Sequence, residues 1–403
     1  GMVLDLLASL RPSFFGGMMQ FQQTIRQAVT CSGVGLHSGC RVALALRPAP
    51  PDTGLVFIRK DVVAGVPIEV ADLVSGRART VIGLADQNVA ALAQRLLRGL
   101  HGLRIGTSSW SYPGWDGLVY AGEYSDSMLA RKGLSAYAQH PLLRTVSIDR
   151  GFYSPIPLAD YVAYAASVPE DFRFAVKATS AVCDAWIRES DGRGRMANPA
   201  FLNAEFAIRD FVDPATRGLG VRCGPLVFQL SPLGALAEDA TGFVERLEAF
   251  LTALPPLDPQ LNPDAVYAVE LRDATLLTPR FIKMLRTAGV RYCVGLHERM
   301  PAADRQAAAV ALLDEGAGGP LVVRWNLNSR YRYAQAEAAY KPFDKLVDED
   351  PFSRETLADM AVAALAAGRK VTILVSNKAE GSSPLSCIKL AEAIAARLPA
   401  DAA

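Results

Sequence analysis

AVYAVELRDATLLTPRFIKMLRTAGVRYCVGLH, residues Ala265 to His297, holds the unit from which the fold is read. An apolar run ends in charge at Glu270 and Arg272, a stretch with helical spacing follows from Thr278 to Gly289, and a second apolar run ends on His297. Short runs rich in Val, Ile, Leu, Phe and Tyr read as strands, whereas apolar residues three and four apart read as a helix with one buried face. The same alternation continues in both directions. Upstream lie LRIGTSSW from Leu103, TVSIDRGFY from Thr145, FRFAVKAT from Phe172 and GPLVFQL from Gly224; downstream lie PLVVRWN from Pro320 and KVTILVSN from Lys370. Helix-period stretches such as DATGFVERLEAFLTAL, ADRQAAAVALLDEG and RETLADMAVAALAAG separate them, with glycine stops, and Pro279 and Pro301 fall where a first turn tolerates proline. Eight strand and helix cycles imply parallel strands with right-handed crossovers, and about 300 residues suit a closed barrel. The fold class expected is α/β, a TIM-like (β/α)8 barrel over residues 103–403. An open doubly wound sheet is the competing fold, but GTSSWSYPGW after the first strand lacks the spacing of a dinucleotide fingerprint.

The 403 residues carry 42 basic and 41 acidic side chains for a net charge of +1, so no global field recruits nucleic acid or an anionic membrane. Six scattered cysteines (Cys31, Cys40, Cys183, Cys223, Cys293, Cys387) show no CxxC pair and read as reduced, mostly buried thiols of a cytoplasmic protein. No stretch reaches the roughly 20 apolar residues of a membrane span, and GMVLDLLASLRPSFFGGMM lacks a basic start before an apolar core. Residues 1–19 are read as an extension, its leading Gly an expression remnant. Residues 20–102 read as a small α+β module: β-type runs in TIRQAVTCSGVGLHSGCRVALALRPAPPDTGLVFIRKD, then NVAALAQRLLRGLHGL as one amphipathic helix.

Two resemblances follow from these motifs. Through SGVGLHSG and ALRPAPPDTGLVFIR, the segment from Gln23 to about Leu103 resembles the start of the zinc-dependent UDP-3-O-acyl-N-acetylglucosamine deacetylases, over roughly the first quarter of that family's length. The family carries a zinc histidine in a Glu-His-Leu context on the following helix. Gln94 and Arg95 stand there instead, and a guanidinium cannot serve as one of the three ligands a catalytic zinc needs. With the downstream half absent, the module reads as a truncated relic or a fused accessory unit, and His37 as a turn or surface histidine. From Leu103 to the end, RIGTSSWSYPGW, TVSIDRGFYSP, FRFAVKAT, GPLVFQLSP, YAVELRDAT, LVVRW and VSNKAEGSSPLS resemble the YecE-like family, known as domain of unknown function 72. That resemblance implies a TIM-like barrel and a site, and no reaction. This chain has Asp149 where members often carry Glu, and Ser376-Asn377 where they carry paired Asn.

In such barrels the strand ends at the carboxyl face build the site. Glu270 and Asp149 are the candidate acid or base groups if crowding raises one pKa, and Arg272, Arg324 and Lys177 suit an anion. Trp110, Tyr112, Trp115 and Tyr153 offer flat faces for a sugar, base or lipid, while Gln229, Asn326, Asn377 and Lys378 complete the rim. The plain readings stay open beside these: a Lys177–Glu270 pair tying strands together, Arg272 paired with Asp149 or Asp273, Trp110 and Phe152 as core, Gln229 and Asn377 satisfying loop backbone. Asp149, Glu270 and His297 are the only plausible metal ligands, and the three nearby cations oppose a metal, so no metal or cofactor is assigned. Imine chemistry at Lys177 is a minor alternative.

The stretch NLNSRYRYAQAEAAYKPFDKLVDEDPFSR after the seventh strand reads as a lid, or as a loop pinned to the barrel by its aromatics. Its alternating arginines and tyrosines also suit single-stranded nucleic acid, against which the even charge balance weighs. Gly381, Ser382 and Ser383 open the last helix where barrels often hold phosphate, beside Lys378. The expected function is a hydrolase or isomerase/lyase acting on a small anionic metabolite such as a phosphorylated sugar. A non-catalytic binding barrel is the alternative, and residual zinc-dependent deacetylation by the N-terminal module a minor one. Substrate and oligomeric state stay open.

Overall fold

A computed structural model describes residues 82–85, 89–189 and 193–398, together with four short strands nearer the amino terminus. The extension at residues 1–19, the SGVGLHSG turn with His37, and Cys31 and Cys40 lie outside the described residues. By its internal contacts the chain divides into two units, Gly1–Gly83 and Leu84–Ala403. In the first, Leu44–Arg47 pairs antiparallel with Phe57–Lys60, and Glu69–Ala71 with Ala78–Thr80.

The second unit is the barrel. Its eight strands are β1 Leu103–Thr107, β2 Leu143–Ile148, β3 Arg173–Lys177, β4 Cys223–Gln229, β5 Val266–Glu270, β6 Arg291–Leu296, β7 Leu321–Trp325 and β8 Val371–Val375. They pair in parallel in chain order and close β8 on β1. All eight apolar runs read from the sequence are strands, but each ladder stops short of the run's last residues. Trp110, Tyr153, His297, Asn326 and Asn377 lie beyond it, because the chain there turns into the mouth loops, for example through the 3-10 turns Pro113–Trp115 and Arg150–Phe152.

Local chemistry sets the helix ends. Thr278 accepts a hydrogen bond from the Phe281 amide, Pro279 takes the first position, and Gly289 closes Pro279–Ala288 at φ 68°. Asp239 and Asp350 cap Ala240–Thr252 and Pro351–Ala366 in the same way. Pro301 differs from expectation. The helix starts at Ala303, and the Pro301 carbonyl accepts from Gln306 Nε2 at 2.7 Å, fixing the approach to the helix rather than its first turn. Helix Ala90–Gly99, grouped by sequence with the N-terminal module, falls in the barrel unit. Its Ala93 and Leu96, and Leu100 just after it, lie with Leu103, Ile105 and Leu142 around one apolar cleft, which gives that face its cover. Among the described residues, no helix is long and apolar enough to cross a membrane, and Cys183, Cys223, Cys293 and Cys387 are buried free thiols.

The barrel interior is layered. Val227, Ala268, Cys293 and Val322, from β4 to β7, form one buried apolar cluster. Side chains two residues apart on a strand share a face, so the next layer toward the carboxyl end contains Gln229, Glu270, Gly295 and Arg324, with Gln229 beside Glu270 and Gly295 beside Arg324 in register. The apolar layer is thus the floor of a polar one.

Candidate active site

Glu270 is the centre of that polar layer. It is fully buried, and its room comes from Gly295, where a Cβ would sit 2.9 Å from Glu270 Oε1. Both carboxylate oxygens are claimed. Oε2 accepts from Arg324 Nη1 at 2.7 Å, and Oε1 accepts from Asn326 Nδ2 at 2.7 Å and from Arg272 Nη1. Arg324 carries the arrangement across the barrel, with Nη1 also reaching Gln229 Oε1 at 3.1 Å and Nη2 reaching Asp149 Oδ2 at 2.7 Å. Ser147 donates to the other Asp149 oxygen.

These contacts overturn one expectation. Burial alone would push the Glu270 carboxyl up, but the charges and hydrogen bonds of Arg272 and Arg324 outweigh it and hold the group down at about 2. Glu270 is therefore a fixed anion and not an acid poised to give up a proton. Burial lowers the Arg324 guanidinium, and Asp149 and Glu270 more than reverse this. The ion pairs also differ from those considered: Arg272 pairs with Glu270, not with Asp149 or Asp273, and Glu270 is held by arginines rather than by Lys177.

Two cations are left with donors to spare. Arg272 spends Nη1 on Glu270 and the Leu271 carbonyl, and among the described residues its Nε and Nη2 meet no protein acceptor. Lys177, at the end of β3 and partly exposed, has no hydrogen bond or ion pair among the described residues; its Nζ lies 3.7 Å from the centre of the Phe152 ring. Burial lowers its pKa to about 8, with Asp149 opposing and Arg324 assisting. His297, after β6, accepts the Arg299 amide on Nδ1 at 3.3 Å, so its neutral form carries the proton on Nε2. Burial, then the charge of Arg272, hold it down at about 4. No group of three His, Cys, Asp or Glu side chains that could hold a metal ion occurs among the described residues.

The rim sorts the remaining candidates. Tyr153 is 84% exposed, while Tyr112 is half-buried; the hydroxyls of both are pushed up first by burial, then by Tyr333 and Asp149, which puts the tyrosines and the carboxylate in one neighbourhood. Trp110 is buried against the edge of Tyr164, its Nε1 without a partner, and Trp115 is fully buried. Both belong to the wall rather than to a ligand face.

Asn377 and Lys378 are both engaged by protein partners. Asn377 Oδ1 accepts from Ser383 N and Oγ, both at 2.8 Å, and from Trp115 Nε1 at 3.2 Å. Ser382 and Ser383 are fully buried, and at the start of the last helix, Ser383–Ala395, the first amide and hydroxyl are taken by Asn377. Lys378 Nζ lies 4.2 Å from the centre of the Tyr333 ring and 3.6 Å from Glu337 Oε2. It holds the long loop, whose Leu327, Ala336, Tyr340 and Phe343 form a buried cluster contacted by Tyr112 and Tyr331. Of the two readings of that loop, the pinned one matches this packing. Sequence reasoning missed Gly295, whose lack of a side chain is what admits Glu270, and Ser147; it also missed Glu380, a second fully buried carboxylate, which accepts from Arg354 at 2.6 Å and from the Asp350 amide at the end of the same loop at 2.7 Å.

Comparison with known proteins finds two families, one for each end of the chain, with a short overlap inside the barrel unit. The family of UDP-3-O-acyl N-acetylglycosamine deacetylases matches residues 22–113. Curated UDP-3-O-acyl-N-acetylglucosamine deacetylases are 42% identical over 89 residues in Citrifermentans bemidjiense, covering 22% of this chain and 29% of that protein, and 56% identical over 52 residues in Chromobacterium violaceum, covering 13% and 17%. The chain thus spans less than a third of the length of these relatives. Within the matched helix Ala90–Gly99, Gln94 and Arg95 supply no zinc ligand, so the described residues do not fit the metal that this likeness implies. Among solved structures, a DUF72 family protein from Thermotoga maritima is 19% identical with a TM-score of 0.49, covering 72% of this chain and 98% of that one. A second, from Enterococcus faecalis, is 17% identical with a TM-score of 0.46, covering 72% and 95%. The family described as protein of unknown function DUF72 matches residues 104–402, nearly the whole barrel unit, and the chain belongs to that family.

Proposed function

We propose that the carboxyl face of the barrel binds a small anionic metabolite, such as a phosphorylated sugar or a carboxylate, and acts on it as a hydrolase, isomerase or lyase. The supporting observation is the unequal use of donors: among the described residues Arg272 Nε and Nη2 and Lys177 Nζ meet no protein acceptor, whereas Arg324 Nη1 and Nη2 and Asn326 Nδ2 are all taken by protein oxygens. Buried or half-buried donors without acceptors are costly unless a ligand or water takes them. In this reading Arg272 and Lys177 contact the anion, while Glu270, Arg324, Gln229 and Asn326 hold Arg272 in place. Asp149, half-buried and hydrogen-bonded through both oxygens, is the carboxylate left to exchange protons with a ligand. Tyr112 and Tyr153 flank the entrance.

A thermal-shift panel of phosphorylated sugars, nucleotides and carboxylates on the full chain tests this, because a ligand that binds only the native state raises its Tm by mass action. An anion that raises Tm in the wild type is expected to do so much less in Lys177→Met and Arg272→Lys. Equal shifts in all three proteins, or none with any anion, would remove the reading.

A further inference from the structure

We propose that Lys177 is a carbonyl-binding amine, and that the ligand of the barrel mouth is an aldehyde or ketone bearing an anionic group. This rests on the anion site proposed above and narrows its ligand class. Three observations meet at one atom. Lys177 closes β3 at the carboxyl end of the barrel, where its Nζ is the one lysine amine placed on the ring of Phe152, 3.7 Å from the centroid, instead of on a carboxylate. Neither Asp149 nor Glu270 takes it as an ion-pair partner, since both spend their oxygens on Arg324, Arg272, Asn326 and Ser147. Asp149, Arg324, Glu270 and Arg272 are the charges that act on the amine, with the buried Cys183 thiol on the segment that follows it. Two positive against two negative charges leave the ammonium only the Phe152 ring as a partner, and burial raises the share of the neutral, nucleophilic amine above that of an exposed lysine.

The step balances without an oxidant or reductant. The neutral Nζ attacks the carbonyl carbon, forming the C–N bond while the C=O electron pair moves to oxygen. The nitrogen's proton and one from solvent pass to that oxygen, the C–O bond breaks and water leaves, so ammonium plus carbonyl gives iminium plus water. Arg272, with Nε and Nη2 uncommitted, would hold the anionic end. An iminium at this position draws electrons from the adjacent carbon, which gives the site its means of proton abstraction or carbon–carbon cleavage.

Two probes of different size test it on the full chain: glyoxylate and pyridoxal 5′-phosphate, each followed by borohydride reduction and peptide mapping. At limiting reagent the label should fall on the Lys177 peptide at least ~10-fold above the exposed Lys132 and Lys283, and vanish in Lys177→Arg. Labelling of Lys177 no greater than of Lys132 and Lys283 with both probes would overturn the proposal. Tm shifts with inorganic phosphate separate the two readings. If phosphate stabilises both wild type and Lys177→Arg, which keeps the charge, while neither probe labels Lys177, the anion site stands and the carbonyl falls. If phosphate and the other anions of the panel all leave Tm unchanged and Lys177 is unlabelled, both fall.

Discussion

The two sides of the barrel mouth treat charge in opposite ways. On the β5 and β7 side, Glu270 is fully buried and every oxygen is matched by a guanidinium or amide. On the β3 side, Lys177 is partly exposed and rests on an aromatic ring with no acceptor among the described residues. The first arrangement stabilises a shape, since a buried charge is tolerable only when it is paired and hydrogen-bonded. The second keeps a donor available to something outside the chain. A charge at a strand's carboxyl end therefore does not have one fixed use, and the carboxylate that looks most catalytic in the sequence is the better anchored group.

The comparison breaks most directly at Glu270. Glu270→Gln leaves two guanidiniums short of their counter-charge, and the expected loss is about 3–5 kcal/mol of stability, read by denaturant unfolding. Its pH dependence has a fixed sign. The folded carboxyl is held at about 2, below its unfolded value of 4.5, so the wild type keeps this stabilisation in full above about pH 4.5 and loses it as pH falls toward about 2. The Gln variant should lack that acid-sensitive component. If it unfolds as the wild type does at both pH 7 and pH 3, Glu270 is not the anchor described.

Gly295→Ala attacks the same side through volume alone. Its new Cβ would stand 2.9 Å from Glu270 Oε1, against a side chain fixed by three partners, and should cost about 1–3 kcal/mol. An unchanged Tm would mean that Glu270 moves more freely than its bonds imply.

Lys177→Met should move stability the other way. The folded amine titrates at about 8 against 10.5 when unfolded, so below about pH 8 its burial costs stability, and the cost is relieved as pH rises from about 8 to about 10.5. Removing it is expected to gain about 1–2 kcal/mol at pH 7 while sharply reducing ligand-induced Tm shifts, the trade-off typical of a functional group in a poor solvent. A variant that is destabilised by a similar amount would assign Lys177 a structural role. The smallest effect is expected from Tyr153→Ala: at 84% exposure its stability should change by no more than about 0.5 kcal/mol, and only the affinity for ring-bearing ligands should fall.

Much of this was legible in the chain itself. Short continuous apolar runs and period-3.6 stretches determined all eight strands and the principal helices of the barrel, because strands buried on both faces need apolar residues throughout and helices with one buried face need them three and four apart. The position of Asp149, Lys177, Gln229, Glu270, Arg272 and Arg324 at one end followed from parallel strands sharing a direction. Which charges pair could not be read, because the partners come from strands far apart in sequence: Arg324 meets Asp149 across 175 residues. Asn377 illustrates the same gap, for nothing in VSNKAEGSS tells a rim amide from one turned back to cap Ser383. Composition and local pattern determined the barrel and its polar end; only the closed tertiary structure, by bringing Gly295 beside Glu270 and two arginines onto one carboxylate, decided that Glu270 is fixed and Lys177 is free. The physical reason is that periodicity is a property of neighbours along the chain, whereas a pKa and a hydrogen-bond partner are properties of neighbours in space.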